Sequence, residues 1–272
     1  MAQSAGTILD EIITARRRDV DEARSRVPLE ALAREVEARH EFRDFVGALS
    51  GPGIRVIAEL KKASPSRGVL RNDYRCREIA QAYEAGGAAA LSVLTEGHFF
   101  QGSLTDLIDS RDAVGLPVLR KDFIVDPYQV YESVAAGADA LLLIVAALGD
   151  KELRELLDVS RKLHIAALVE VHSGRELDRA FAAGATLVGV NNRDLKTFEV
   201  NPETSLRLRP WIPSSCIAVS ESGIKNSADL RRLAEAGFNA VLIGEHFMSA
   251  PDPGRELAQI LEGAKAPASP RA

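Results

Sequence analysis

From Ile54 onward the chain alternates short apolar runs with amphipathic stretches of 10 to 14 residues. Short buried strands joined by crossover helices produce this texture, the pattern of βα units around a parallel sheet. It predicts strands near 54–60, 88–94, 117–120, 139–145, 165–170, 187–190, 216–219 and 240–243. The helices between and after them fall near 74–86, 103–113, 127–137, 150–163, 173–184, 202–209, 226–236 and 252–263. Ahead of these units, residues 7–49 read as helix, with Ile8, Leu9, Ile12 and Ile13 at three-to-four spacing among dense charges. A segment with that pattern packs onto the body of the protein or covers it.

Every second helix closes with the same chemistry: Ala85-Gly86-Gly87, Ala136-Gly137-Ala138, Ala183-Gly184-Ala185 and Ala236-Gly237-Phe238, about 50 residues apart. A glycine there supplies the left-handed residue that ends a helix. Even winding of this kind suits a closed (β/α)8 TIM barrel. An open doubly wound sheet is the competitor, but the loop after the first strand, Lys61-Lys62-Ala63-Ser64-Pro65-Ser66-Arg67-Gly68, holds no GxGxxG. The 272 residues suit one barrel of about 250 as well as two small domains. The expectation is a single domain over 1–272: a helical extension at 1–50, a barrel at 51–263 and a disordered tail at 264–272, where small residues and proline bury little surface.

Composition narrows the class of function. Hydrophobic residues make up 46% and charged residues 27%, an ordinary globular balance. With 34 basic and 39 acidic side chains the formal charge is −5, so no global positive field attracts nucleic acid or anionic lipid. An anionic ligand must meet a local site. Cys76 and Cys216 form no disulfide framework or zinc spacing, which points to a reducing cytoplasm. The first residues lack a basic stretch followed by an apolar one, and no apolar run approaches the roughly 18 residues that cross a bilayer. Secretion and membrane insertion are not expected. No apolar surface stripe marks an interface, so a monomer is expected.

The ends of the predicted strands are reactive. In a (β/α)8 barrel such ends face one mouth, where chemistry takes place. Glu59 and Lys61 lie two apart on an extended segment and share a face; they are either a structural ion pair plugging the barrel or a pair serving a ligand. Lys121 closes Val118-Leu119-Arg120-Lys121 and reads as a surface lysine, a Schiff-base nucleophile or a general acid. Acidic groups on neighbouring strands favour its charged form, hence the acid. Glu170 suits proton transfer or a helix dipole.

Asn191 and Arg193 offer an amide and a guanidinium for polar or anionic groups, or simply a turn. Ser220-Glu221-Ser222-Gly223 and Ile243-Gly244-Glu245 place glycine at the last two strand ends, where barrels bind phosphate with main-chain N–H groups, and Ser64 can reach in from the first loop. Phe99, Phe100 and Phe123 stand beside the mouth, ready to stack on an aromatic substrate or to pack the N-terminal helix. His40, His98, His164, His172 and His246 show no HxxxH, HxH or HExxH arrangement, so no metal is expected, and no nucleotide-cofactor fingerprint occurs.

Val56-Ile57-Ala58-Glu59-Leu60-Lys61-Lys62-Ala63-Ser64-Pro65-Ser66-Arg67-Gly68 closely resembles the signature of the indole-3-glycerol phosphate synthase family of tryptophan biosynthesis. The likeness continues in Leu119-Arg120-Lys121-Asp122-Phe123, Leu168-Val169-Glu170-Val171-His172, Gly189-Val190-Asn191-Asn192-Arg193-Asp194-Leu195 and Ser220-Glu221-Ser222-Gly223-Ile224. Leu60, where isoleucine is common, and Glu245, where some members carry serine, depart from the pattern.

The resemblance implies a carboxy-lyase that closes the ring of 1-(2-carboxyphenylamino)-1-deoxyribulose 5-phosphate with loss of carbon dioxide and water, without cofactor or metal. Lys121 matches the family's general acid. Glu59, Lys61 and Glu170 match groups that share the remaining proton transfers, their division left open, and Asn191 and Ser222 match residues that orient the intermediate. Arg193, Glu221, Phe100 and Phe123 map to the anthranilate and sugar pocket, and Ser64, Gly223, Gly244 and Glu245 to the phosphate side. The family's N-terminal helices cap the C-terminal mouth. The chain holds no second barrel, so a fused isomerase is not expected, while transient contact with other tryptophan-pathway enzymes stays open.

Overall fold

The computed structural model describes residues 7–39, 41–194 and 197–265. Eight parallel strands close into a barrel: β1 (Arg55–Leu60), β2 (Ala90–Leu94), β3 (Val118–Lys121), β4 (Ala140–Ile144), β5 (Ala166–Val171), β6 (Leu187–Asn191), β7 (Ile217–Glu221) and β8 (Ala240–Ile243). Each pairs with its successor, and β8 returns to β1 with Val56 opposite Val241. The predicted strands match within a few residues. Lys121 belongs to β3 itself, one residue beyond the predicted end, because its neighbour Leu94 continues the ladder opposite it.

Strand pleat sorts the core into two layers. Val56, Ala58 and Leu60 of β1 and Val169 and Val171 of β5 point outward to the helices. Ile57, Leu119, Leu168, Val219 and Leu242 point inward and fill the barrel. Two residues further along the same inward rows come Glu59, Lys121, Glu170, Glu221 and Gly244. The inner core therefore changes from apolar to ionisable at the C-terminal ends of the strands.

The outer helices follow the expected order: α4 (Cys76–Ala85), α5 (Leu104–Ala113), α6 (Pro127–Ala135), α7 (Asp150–Lys162), α8 (Gly174–Ala182), α9 (Glu203–Leu208), α10 (Ser227–Glu235) and α12 (Pro253–Lys265), with a one-turn α11 (Glu245–Met248) directly after β8 that periodicity cannot detect. Gly87, Gly137, Gly184 and Gly237 adopt φ of +86° to +92°, the left-handed turn expected before alternate strands. A two-stranded ribbon, Ala63–Ser64 against Gly68–Val69, shapes the first loop.

The N-terminal extension is three helices rather than one, α1 (Ile8–Arg26), α2 (Leu29–Glu37) and α3 (Phe45–Leu49). Pro28 forces Val27 into an extended conformation, φ −127° and ψ 103°, which ends α1. At the mouth α1 sets Leu9 and Ile12 against Phe123 and Ile144, and Arg16 reaches Asp122 at 3.0 Å. The chain then descends along α6 and closes the opposite end of the barrel with Phe45 and Leu49, while Arg43 donates to Leu116 O at 2.7 Å, just before β3. The extension thus spans both ends, not the mouth alone. At the C-terminus α12 runs to Lys265, past the predicted boundary at 263, because Arg231 caps the Gly263 carbonyl and Ala264 packs on the core. Residues 266–272, where disorder was expected, lie outside the described residues.

Candidate active site

The inward row of ionisable ends opens into a cavity of about 670 Å³. Of the residues singled out from the sequence as catalytic or substrate-binding, all but Phe99 line it, from Glu59, Lys61 and Ser64 on the first strand and loop to Gly244 and Glu245 on the last.

Lys121 lines it from the end of β3. Its Nζ is 3.4 Å from Glu170 Oε2 and 3.8 Å from Glu221 Oε2. Burial alone would lower the lysine pKa, but the charges of Glu170, Glu221 and Glu59 outweigh it and raise the pKa above its usual value. The ammonium is therefore held charged.

The two carboxyls facing Lys121 are driven apart. Burial works against the charge of both. At Glu170 the cations Lys121 and His172 and the Asn191 amide overcome it and hold the carboxyl below its usual range. At Glu221 burial is reinforced by the Glu170 charge, and the pKa rises well above the usual value. Two carboxyls whose environments push their pKa values in opposite directions are a common acid and base arrangement. On the other side of the cavity Lys61 pairs with Glu59 at 2.8 Å. A methyl group at Gly244 would overlap the Glu59 carboxyl, so that glycine leaves the carboxylate its space.

Asn191 and Ser222 are one unit. Ser222 Oγ donates to Asn191 Oδ1 at 2.8 Å, which also accepts Arg193 N at 3.0 Å. Ser222 holds φ +66° and Gly223 φ +80°; the serine is a strained residue, and strain of this kind gathers at functional sites. Asn192 supports it, donating to Ser222 O at 3.0 Å and accepting from Ser205 N at 2.9 Å. Across the mouth the Ser64 hydroxyl is buried with no hydrogen-bond partner of its own. A buried orphan donor beside the glycines of the last two strands suits an anion that is not part of the protein.

Arg193 reaches Glu245 at 2.9 Å, and Arg67 lies 3.6 Å from the same carboxylate. Phe100 and Phe123 stack at 6.1 Å between centroids and 37°. Glu96 positions the aromatic loop by accepting the N–H groups of His98, Phe99 and Phe100 at 2.8–3.0 Å. Among the described residues no group of three or more His, Cys, Asp or Glu side chains could hold a metal ion.

Residues 9–260 match the family model of indole-3-glycerol phosphate synthase. The chain belongs to the indole-3-glycerol phosphate synthase family. A relative of that name from Polaromonas sp. (strain JS666) is 51% identical over 257 residues, 93% of this chain and 97% of its own. Another from Mycobacteroides abscessus is 47% identical over 268 residues, 98% of both chains. Among solved structures, 3-hexulose-6-phosphate synthase from Salmonella typhimurium superposes with a TM-score of 0.61 at 14% identity, covering 78% of this chain and 98% of that one. Orotidine 5'-phosphate decarboxylase from Pyrococcus horikoshii OT3 gives 0.59 at 12%, covering 78% and 99%. At that identity the likeness is one of fold.

Several members of this indole-3-glycerol phosphate synthase site were not identified as such from the sequence. Asn192 reads as a turn residue until its bonds to Ser222 after β7 and to Ser205 in α9 are seen. Arg67 belongs to the family signature but carried no role. Gly189 and His172 escaped because what matters is the group beside each, across a strand or along a helix, and no spacing rule records it.

Proposed function

We propose that this chain catalyses the family's reaction, closing the pyrrole ring of 1-(2-carboxyphenylamino)-1-deoxyribulose 5-phosphate to give indole-3-glycerol phosphate, carbon dioxide and water. The supporting observation is Lys121, a buried ammonium lining the cavity and kept charged by the carboxylates of Glu170, Glu221 and Glu59 on β5, β7 and β1.

As the aromatic carbon bonds to the ketone carbon, the carbonyl oxygen takes up negative charge. Lys121 donates its proton there, and a preformed cation in a dry site stabilises the developing alkoxide. The bond to the carboxyl carbon then breaks, carbon dioxide leaves, and the electron pair restores the ring. For dehydration Lys61 protonates the departing hydroxyl, and Glu59, 2.8 Å from it, accepts the proton from the adjacent carbon. Glu170 stays ionised and seats the Lys121 ammonium, which water recharges after turnover. Neutral Glu221 is a hydrogen-bond donor to the substrate.

Arg193 takes the substrate carboxylate, Asn191 and Ser222 orient the intermediate, and Phe100 with Phe123 stacks on the anthranilate ring. Ser64, Gly223, Gly244 and the neighbouring Glu245 form the phosphate side. The substrate is a free phosphorylated small molecule. A reducing cytoplasm suits the free thiols Cys76 and Cys216, and no described helix is long and apolar enough to cross a membrane. We assign a monomer to the solution state.

Purified protein mixed with the substrate in metal-free buffer is expected to generate indole fluorescence. Lys121→Met should lower turnover by roughly two to four orders of magnitude with the fold retained. Near-normal turnover in that variant removes Lys121 from the mechanism; no product from the unaltered protein overturns the reading.

A further inference from the structure

His172 follows Glu170 on the same inward row, two residues beyond it, and is itself enclosed, its side chain 13% exposed. Its Nε2 lies 3.4 Å from Glu170 Oε1. Both atoms are buried and neither makes a well-formed hydrogen bond, so each is the other's available partner. The far side of the ring is fixed: Nδ1 lies 3.1 Å from Glu176 Oε2, and the same oxygen accepts the His172 backbone N–H at 2.9 Å. Glu176 is in turn set at the start of α8, its backbone N–H donating to Ser173 Oγ at 3.3 Å. The result is a file running from the helix start through the imidazole to the carboxylate that seats Lys121.

We propose that His172, fixed by Glu176, is a positioning residue that keeps Glu170 ionised and aimed at Lys121, so that of two neighbouring buried carboxyls Glu170 stays an anion and Glu221 carries the proton. This rests on the catalytic reading above and extends it to a residue outside the cavity lining.

The physical argument is one of symmetry breaking. Glu170 and Glu221 end inward rows on β5 and β7 on either side of β6, are both about 1% exposed and both face the same ammonium. Two such carboxyls in one dry site do not both ionise, and an additional interaction decides which one does. Glu170 has a second cationic neighbour in His172, whereas for Glu221 Lys121 is the cation. The groups facing the imidazole are Glu170 on β5, Glu176 on α8 and Lys121 on β3. Burial and Lys121 disfavour the imidazolium, while the Glu176 hydrogen bond and the Glu170 charge favour it and prevail, holding the ring above its ordinary pKa. A cationic imidazole presents an N–H from Nε2 to the orphan oxygen of Glu170, satisfying both atoms at once.

Two readouts test this. In the free enzyme, nitrogen chemical shifts of the labelled His172 ring are expected to show the doubly protonated form at pH 7, and Glu170→Gln should lower its pKa by about one unit or more. In turnover, His172→Ala should reduce kcat about tenfold or more, change KM less, and move the acidic limb of the kcat profile upward by about one unit, because Glu170 then takes up a proton at higher pH. His172→Gln, whose amide nitrogen can replace Nε2, should restore most of both effects.

A neutral ring at pH 7 with Nε2 unprotonated, or an acidic limb that stays put in His172→Ala, overturns the proposal. A purely structural role would lower the melting temperature without moving that limb. Absence of product from the unaltered enzyme instead sinks the catalytic reading, and the ring titration still decides the coupling of His172 to Glu170.

Discussion

Gly189 on β6 makes room for the Glu221 carboxyl on β7. A methyl group on Gly189 would overlap Glu221 Oε1 and press on Leu168 Cδ1. Gly189 also stands directly across from Glu170 in the ladder. The missing side chain therefore lets Glu221 lean across β6 toward Glu170 and Lys121, which it could not approach over an alanine. The backbone of Gly189 is ordinary strand, so space rather than conformation is the reason for glycine.

Gly189→Ala is expected to fold, at a cost of about 1–3 kcal/mol from overpacking. Displacing the Glu221 carboxyl from its partners should lower kcat/KM by roughly 10²-fold, the effect of an ångström's misplacement at a reacting centre. Circular dichroism with steady-state kinetics checks both. A variant with unaltered kinetics would show that the inward position of Glu221 does not matter to turnover.

The divided carboxyl pair predicts the alkaline side of the pH profile. Burial and the Glu170 charge raise Glu221 well above the ordinary carboxyl pKa, and the proposed mechanism uses it as the neutral acid. As pH climbs through that raised value it becomes a second anion beside Glu170, and its donor to substrate disappears. Activity should fall along an alkaline limb that Glu221→Gln, neutral at every pH, moves to higher pH. The same limb in both proteins would assign it to another group.

Much of this arrangement was legible in the sequence because strand parity is a strict rule. Leu119 and Lys121, Leu168 and Glu170, or Val219 and Glu221 stand two apart, so once the inner member of each pair packs in the barrel the second must enter the mouth. Element ends and loops were less legible. Nothing in the periodicity of residues 7–49 says that Phe45 and Leu49 plug the far end of the barrel, because an amphipathic helix states that it has a partner without naming it. The pairing of Arg193 with Glu245 joins the loop after β6 to the start of α11, 52 residues apart. The fit of Gly189 to Glu221 and of His172 to Glu170 depends on ångström-scale side-chain geometry rather than on pattern.

The charge state of Lys121 predicts a negative result. Schiff-base formation requires the free amine, and the ammonium is held protonated by the surrounding carboxylates. Borohydride added during turnover should therefore leave Lys121 unmodified by mass spectrometry, while product accumulates normally. A reduced substrate adduct on Lys121 would replace the acid role with a covalent one.

Asp122, next in the chain to Lys121, points the opposite way and anchors the N-terminal helix. It is bonded by Arg120 and Arg16, each at 3.0 Å, and by the Thr95 hydroxyl. Burial would raise its pKa, but Arg120 and Arg16 prevail and lower it. Asp122→Asn leaves buried guanidinium groups facing an amide, a change that costs roughly 3–5 kcal/mol when nothing compensates. Here Arg120 keeps Glu132 at 2.8 Å and Arg16 keeps Asp19 at 2.8 Å, so a loss of about 3 kcal/mol, the low end of that range, is expected. Because the folded pKa lies below the unfolded one, this stabilisation is complete above about pH 4 and disappears as pH falls through the folded value. Urea unfolding should show the largest gap between the two proteins at pH 7 and a shrinking one toward pH 3. A gap independent of pH would mean that packing, not the Asp122 charge, holds α1 over the mouth.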